Sequence, residues 1–261
     1  MTRLACPQCG HAGIREQSCP RCLHEHGAFI TMRPRRPQAS RTDAPVSVHR
    51  LDAPAVRRLI TPWSDVDALL NGGVAVDSTL LLAGRPGSGK STFALQFAAG
   101  FKALYVSGEE PEAQIRARYE RVCPRSRAIG DLDIWEQPDL HAVCRVLAGY
   151  HLAVIDSLQV LNVQGRAGVP GGPVQMRAAL IALTKYAHDR RVTILILSHV
   201  NQKGQPAGSM FHQHLVDCVL LFRGQPEEET RELVIQKHRF GPSGQALPMR
   251  MTATGLEVVT A

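Results

Sequence analysis

The chain has 261 residues, 44% of them hydrophobic and 20% charged. That is apolar enough for one good core and too apolar for a disordered chain. With 30 Lys and Arg against 23 Asp and Glu, the formal charge is +7, which suits a polyanionic partner such as nucleic acid. Apolar runs such as Leu80-Leu81-Leu82-Ala83 fall far short of the ~20 residues a membrane span needs. The first residues, Met1-Thr2-Arg3-Leu4, carry no apolar leader, so a soluble, cytoplasmic protein without membrane contact is expected.

Three zones follow one another: a cysteine-rich module over 1–28, a basic Pro-containing linker over 29–55, and a long domain over 56–261. The first zone holds Cys6-Pro7-Gln8-Cys9 and Cys19-Pro20-Arg21-Cys22, two C-x₂-C knuckles nine residues apart. Four thiolates at this spacing converge on a tetrahedral ion, so Cys6, Cys9, Cys19 and Cys22 are expected to hold a structural Zn²⁺. Disulfides are the alternative, disfavoured in a reducing compartment. Cys123, Cys144 and Cys218 lie in apolar segments and read as core residues.

In the third zone short apolar runs alternate with helical patterns. The predicted elements are strand 79–83, a helix from Lys90, strand 103–107, helix 111–122, strand 133–135, helix 139–149, strand 152–156, helix 173–190, strand 192–198, strands 218–222 and 231–237, and a hairpin over 247–259. Continuous rather than alternating apolar strands predict an α/β fold with a mostly parallel central sheet covered on both faces.

Gly84-Arg85-Pro86-Gly87-Ser88-Gly89-Lys90-Ser91 fits G-x-x-x-x-G-K-[ST] between a predicted strand and a predicted helix. The backbone N–H groups of such a loop turn onto phosphate oxygens, helped by the helix N-terminus. ATP is therefore expected at residues 84–92, Thr92 included. Lys90 would reach the β- and γ-phosphates, and Ser91 would bind Mg²⁺. Asp156 ends the strand 152–156, at the edge facing the ligand crevice, and is the expected second Mg²⁺ partner. An ordinary strand-end carboxylate would occupy the same place. Glu109 and Glu110 follow the strand 103–107 through Gly108. Glu109 is expected to polarise the attacking water, and Glu110 to act as a helix-start acid. His199, at the tip of strand 192–198, is expected to sense the γ-phosphate, a packed histidine being the alternative.

These motifs together carry a resemblance. The phosphate loop, Leu104-Tyr105-Val106-Ser107-Gly108-Glu109-Glu110, Val154-Ile155-Asp156-Ser157-Leu158-Gln159 and Lys237-His238-Arg239-Phe240-Gly241 resemble, in order and spacing, the bacterial RadA (Sms) family of RecA-like ATPases. Leu69-Leu70-Asn71-Gly72-Gly73, Ser198-His199-Val200 and His214-Leu215-Val216-Asp217 fit as well. The resemblance implies a RecA-like P-loop core, an N-terminal zinc motif and DNA-stimulated hydrolysis of ATP to ADP and phosphate. It implies a hexameric ring that branch-migrates DNA in recombination and repair, with recombinase or replicative helicase partners. It implies that Lys237 and Arg239 act as cationic fingers on a neighbouring subunit's nucleotide. It also implies that the loops holding Arg166 and Lys203 face single-stranded or branched DNA. Both loops lack stacking aromatics, so backbone binding with little sequence preference is expected. Two departures stand out: His238 replaces the usual Asn, and the chain stops at Ala261 without the family's Lon-protease-like domain. The alternatives are a KaiC-like regulatory ATPase working on proteins without DNA, and a non-catalytic adaptor.

Overall fold

The computed structural model describes residues 56–123, 131–200, 210–225 and 227–259, together with residues 4–5, 30–31, 47 and 49. The chain divides into two units, Met1–Ala55 and Val56–Ala261. In the first, β1 (Leu4–Ala5) pairs antiparallel with β2 (Ile30–Thr31). The four zinc-candidate cysteines and the linker arginines lie outside the described residues. Among the described residues no group of three or more His, Cys, Asp or Glu is placed to hold a metal, and no helix is long and apolar enough to cross a membrane.

The second unit opens with β3 (Arg58–Leu59), α1 (Ser64–Leu69) and β4 (Val74–Ala75). Then come β5 (Thr79–Gly84), α2 (Lys90–Ala98), β6 (Ala103–Ser107), α3 (Glu112–Val122), β7 (Leu132–Glu136), α4 (Leu140–Val146), β8 (Leu152–Asp156), α5 (Pro173–Arg190) and β9 (Thr193–His199). The last elements are α6 (Met210–Leu215), β10 (Cys218–Arg223), β11 (Thr230–His238), β12 (Ala246–Thr252) and β13 (Gly255–Val258). Nine strands form one sheet in the order β13-β12-β11-β10-β5-β9-β8-β6-β7. From β10 to β7 every pairing is parallel, whereas β10 to β13 form an antiparallel extension. The chain therefore carries the expected mostly parallel sheet, and the predicted helix 173–190 has the observed bounds.

Period-two side-chain alternation feeds a separate core on each face of the sheet. Leu80 and Leu82 of β5 join Phe93, Leu95 and Phe97 of α2 on one face. Leu81 joins Ile194, Ile196 and the α5 residues Leu180 and Leu183 on the other. With both faces covered, all six residues of β5 are buried, which is why its sequence is a continuous apolar run.

Two contacts lock α2, and so the loop at its start. Trp63 stacks on Phe93 with centroids 5.3 Å apart, and Phe93 meets Phe222 of β10 at 5.7 Å. The buried Gln96 accepts from the Leu256 N–H at 2.8 Å and donates to its carbonyl at 3.2 Å. That satisfies a backbone pair on the outermost strand, β13.

In the second unit α1, the β3–β4 ladder and α6 escape sequence reading. Their order is tertiary. Arg58 donates to the carbonyls of Leu70 (2.9 Å) and Gly73 (2.8 Å) in the turn before β5. The same side chain reaches Phe240 O at 2.9 Å, bridging 182 residues. Glu110 also departs from expectation. It does not cap α3, whose start has no side-chain cap. Its carboxylate instead pairs with Arg118 at 2.9 Å, one helical turn and more along α3, because Ser107 Oγ takes its backbone N–H at 3.0 Å and turns the residue away from the helix start.

Candidate functional site

The carboxyl edge of the parallel sheet gathers the chemistry. Here β5 runs into the phosphate loop, β6 into Glu109, β8 into Asp156 and β9 into His199. The loop's final glycine, Gly89, has φ +105° and sits where an added Cβ would lie 2.6 Å from Met251 Cε. Only glycine meets both the turn and the close approach.

Lys90 is buried and folds back on its own loop, donating to Gly84 O at 3.0 Å and Arg85 O at 2.8 Å. These carbonyls hold the ammonium where incoming phosphate oxygens can replace them. Burial pushes Lys90 down to about 8, against the opposite pull of the Asp156 and Glu109 carboxylates. Phosphate binding favours the ammonium, so above pH 8 the free protein must take up a proton to bind. Nucleotide affinity should therefore fall by about tenfold per pH unit in alkaline solution. Lys90→Arg, which does not titrate there, should give a flat profile. Fluorescent-nucleotide titrations of both proteins from about pH 7 to about pH 9.5 check this slope.

Asp156 closes β8 and is half-buried. Burial raises its carboxyl, while hydrogen bonds from Tyr105 and Ser91 pull it down and the nearby Glu110 and Glu109 push it up. The Tyr105 hydroxyl, on the adjacent strand β6, donates to Asp156 Oδ2. A desolvated carboxylate held against the first-turn hydroxyl of α2 fits a hard divalent cation with oxygen ligands and retained waters. Ser91 and Asp156 are thus the residues that could hold Mg²⁺.

Glu109 is exposed at the β6 tip, and its Oε1 accepts from Ser157 Oγ at 2.8 Å. His199 is half-buried, with Nδ1 enclosed and without a hydrogen-bond partner among the described residues. Burial and then the Lys90 charge lower its imidazole, and Glu109 and Asp156 oppose them. His199 is therefore neutral at physiological pH and in the field of the other three groups. Lys90, Ser91, Glu109, Asp156 and His199 form one constellation.

Lys237 and Arg239 do not join it. β11 runs antiparallel to β10, pairing Leu233 with Phe222 and His238 with Cys218. Phe222 lies beside Gly84 and Cys218 beside Leu80. The two cations thus sit toward the amino edge of the sheet, Lys237 about 10 Å and Arg239 about 16 Å of strand away from the level of Gly84. There Lys237 Nζ donates to Val216 O at 2.7 Å and Gln213 O at 2.9 Å, capping the end of α6. Arg239 Nη1 meets Asp217 Oδ1 at 2.5 Å. Asp217 is completely buried and also accepts from Thr79 N–H (2.9 Å) and Thr79 Oγ1 (3.0 Å).

Arg166 is exposed on the loop between β8 and α5. The buried Gln175, on the first turn of α5, ties the loop down by accepting from Val163 N–H (2.9 Å) and donating to Arg166 O (2.9 Å). Lys203 lies outside the described residues.

Sequence reasoning passed over Tyr105, Ser157 and Arg231. Arg231 is buried on β11, and its Nε donates to Ser88 O at 2.7 Å, bracing the phosphate loop from 143 residues away. Beside the loop, Gly84, Arg85, Leu221, Phe222, Arg223 and Glu228 help line a cleft of about 360 Å³.

The profile of the AAA domain family matches residues 45–205. The DNA repair protein RadA of Mycobacterium tuberculosis is 35% identical over 219 residues, covering 81% of this chain and 45% of that protein. RadA of Escherichia coli is 33% identical over 209 residues, covering 78% and 45%. The chain therefore spans about half the length of the curated relatives it matches. Among solved structures, the RadB recombinase aligns with a TM-score of 0.56 at 22% identity, covering 76% of this chain and 97% of that one. A KaiC-like protein from Pyrococcus horikoshii aligns with a TM-score of 0.60 at 21% identity, covering 78% and 100%. Both share the RecA-like α/β fold. With its phosphate loop on the central strand and its acids on the strands beyond β9, the chain belongs to the AAA domain family and is a homologue of the bacterial RadA proteins.

Proposed function

We propose that this chain hydrolyses ATP with Mg²⁺ and couples the cycle to single-stranded or branched DNA in recombination and repair. The observation that carries the reading is the constellation at the carboxyl edge, where a buried ammonium, a Ser91–Asp156 pair and an exposed Glu109 surround one phosphate cradle. In this reading Lys90 and the loop amides, over residues 84–92, bind the β- and γ-phosphates. Ser91 and Asp156 would hold Mg²⁺, which when bound would neutralise phosphate charge. Glu109 orients and deprotonates the attacking water, and His199 senses whether the γ-phosphate is present. Arg166 and Lys203 contact DNA phosphates. The identity of the relatives, named DNA repair proteins, supports DNA over a protein substrate, since the likeness to the KaiC-like protein is one of fold.

The reading extends to assembly. Lys237 and Arg239 cannot serve their own site from the opposite sheet edge, so they act on a neighbour's nucleotide within a hexameric ring. Cys6, Cys9, Cys19 and Cys22 bind Zn²⁺ as a closed structural module, and recombinase or replicative helicase proteins are the expected partners. The test is the ATP turnover rate with and without single-stranded DNA. Wild-type turnover should rise with DNA, and the stimulation should fade steeply with salt as phosphate contacts are screened. Lys90→Ala should lose turnover by about 10³-fold or more. Hydrolysis indifferent to DNA would favour a regulatory ATPase instead. Activity surviving in Lys90→Ala would remove the site from the mechanism.

A further inference from the structure

The turn that follows β8 touches three things at once. Ser157 donates to Glu109 Oε1 at 2.8 Å, so the turn's first hydroxyl holds the carboxylate beside the phosphate cradle. Val160 packs on the backbone just before that carboxylate. A Cβ on Gly108 would lie 2.0 Å from Val160 Cγ2, so only glycine admits the contact. Between them, Gln159 Nε2 donates to Ser198 Oγ at 3.1 Å, at the tip of β9 and next to His199. Its backbone carbonyl meets the far end of the Arg166 loop, where a Cβ on Gly171 would come within 3.0 Å. That loop is pinned at its other end by Gln175.

Among the described residues, two buried polar atoms at this junction have no hydrogen-bond partner: Gln159 Oε1 and His199 Nδ1. Buried polar atoms are nearly always paired, so such atoms mark a network with a second arrangement available or a missing partner. One amide with a used donor and an unused acceptor can change partners by rotating, at little cost in packing.

We propose that Gln159 is a positioning residue that joins the hydrolytic carboxylate to the Arg166 loop, so that occupancy of the γ-phosphate site changes the loop's conformation. The proposal rests on the reading of the carboxyl edge as a Mg·ATP site, and deepens it. A γ-phosphate beside Glu109 and His199 shifts the Ser157 and Ser198 ends of the turn. Gln159, bonded to one and continuous with the other, passes the shift to Gly171. Coupling of this kind needs a contiguous element with two arrangements; residues 157–160 are contiguous, and the unpartnered Gln159 Oε1 leaves a second arrangement open to them. DNA is not required for the device to act.

The experiment follows tryptic cleavage after the exposed Arg166 in the full chain, with Mg·ADP or Mg·ATPγS, cleavage being assigned by mass. The wild-type rate is expected to differ by about threefold or more between the two nucleotides. In Gln159→Ala that difference should collapse towards unity while fluorescent-nucleotide affinity and melting temperature stay close to wild type. Ser198→Ala should collapse it likewise, and Ser198→Thr, which keeps the hydroxyl, should retain it. A role confined to stability would move the melting temperature and leave the nucleotide response intact. A wild-type loop that binds both nucleotides and cleaves equally in each overturns the proposal, as does a normal response in Gln159→Ala. If neither nucleotide binds wild type, the Mg·ATP reading itself fails and takes the proposal with it.

Discussion

Replacing Glu109 with Gln is expected to lower ATP turnover by about two to four orders of magnitude while leaving nucleotide binding within roughly threefold of wild type. The expectation follows from how the carboxylate is held. Glu109 lies beyond the end of β6 and takes no part in the core, so the amide replaces it without strain. Its Oε1 accepts from Ser157 at 2.8 Å, an interaction a Gln carbonyl keeps. What the amide loses is the capacity to accept a proton from water and the negative charge that aligns it. In the proposed site phosphate affinity depends on Lys90 and the loop amides, and no hydrogen bond among the described residues joins Glu109 to them. Rapid-quench turnover together with fluorescent-ATP binding separates the two effects. A variant that binds normally but stays in the ATP state identifies Glu109 as the base. Equal loss in Glu110→Gln would point to the wrong residue. Glu110 is committed to Arg118 at 2.9 Å, so its amide variant should turn over nearly as wild type.

The elements that position this site were legible because their patterns are local. β5 carries the apolar run Leu80-Leu81-Leu82-Ala83 ended by a glycine-rich loop, and burial on both faces makes such a run inevitable. The acids at the tips of β6 and β8 could be read for the same reason: a parallel strand that ends in a carboxylate delivers it to one edge. What the residues could not disclose is partnership across long separations. Tyr105 reads as a core aromatic, and its ring is buried as such, yet its hydroxyl serves Asp156 from the next strand. Arg231 reads as a solvent-facing strand residue, yet it braces Ser88 O from across the sheet. Helix α6, with six residues, is too short for a 3.6-residue period to declare itself. Its end is fixed instead by the ammonium of Lys237, brought there by β11.

The second large effect concerns Arg239. Arg239→Ala is expected to reduce turnover by about 10³-fold or more without loss of nucleotide binding, and the loss is expected to be rescued in mixtures. The register excludes action within one subunit, since His238 pairs with Cys218 at the edge remote from Gly84. A cation that matters to hydrolysis from there must reach another subunit's nucleotide, where charge grows on the γ-phosphate. Its tether suits that role. The Arg239 side chain is 49% exposed, while its partner Asp217 is fully buried and anchored by Thr79. When the guanidinium leaves, Asp217 Oδ2 keeps its two Thr79 donors and the His188 imidazole at 3.2 Å, but Oδ1 loses its partner, so release carries a cost that contact with the neighbour's nucleotide must offset. Lys237 has the opposite tether: its ammonium is spent on two backbone carbonyls at the end of α6 within 2.9 Å, so its removal should also loosen that helix. Mixing Arg239→Ala with Lys90→Ala subunits decides the geometry. Each homogeneous protein is inactive, but in a mixed assembly some sites combine an intact Lys90 with a neighbour's intact Arg239 and recover turnover. No recovery at any mixing ratio, with both variants assembling as wild type does, would place Arg239 outside the catalytic step and leave its pairing with Asp217 as a structural tie.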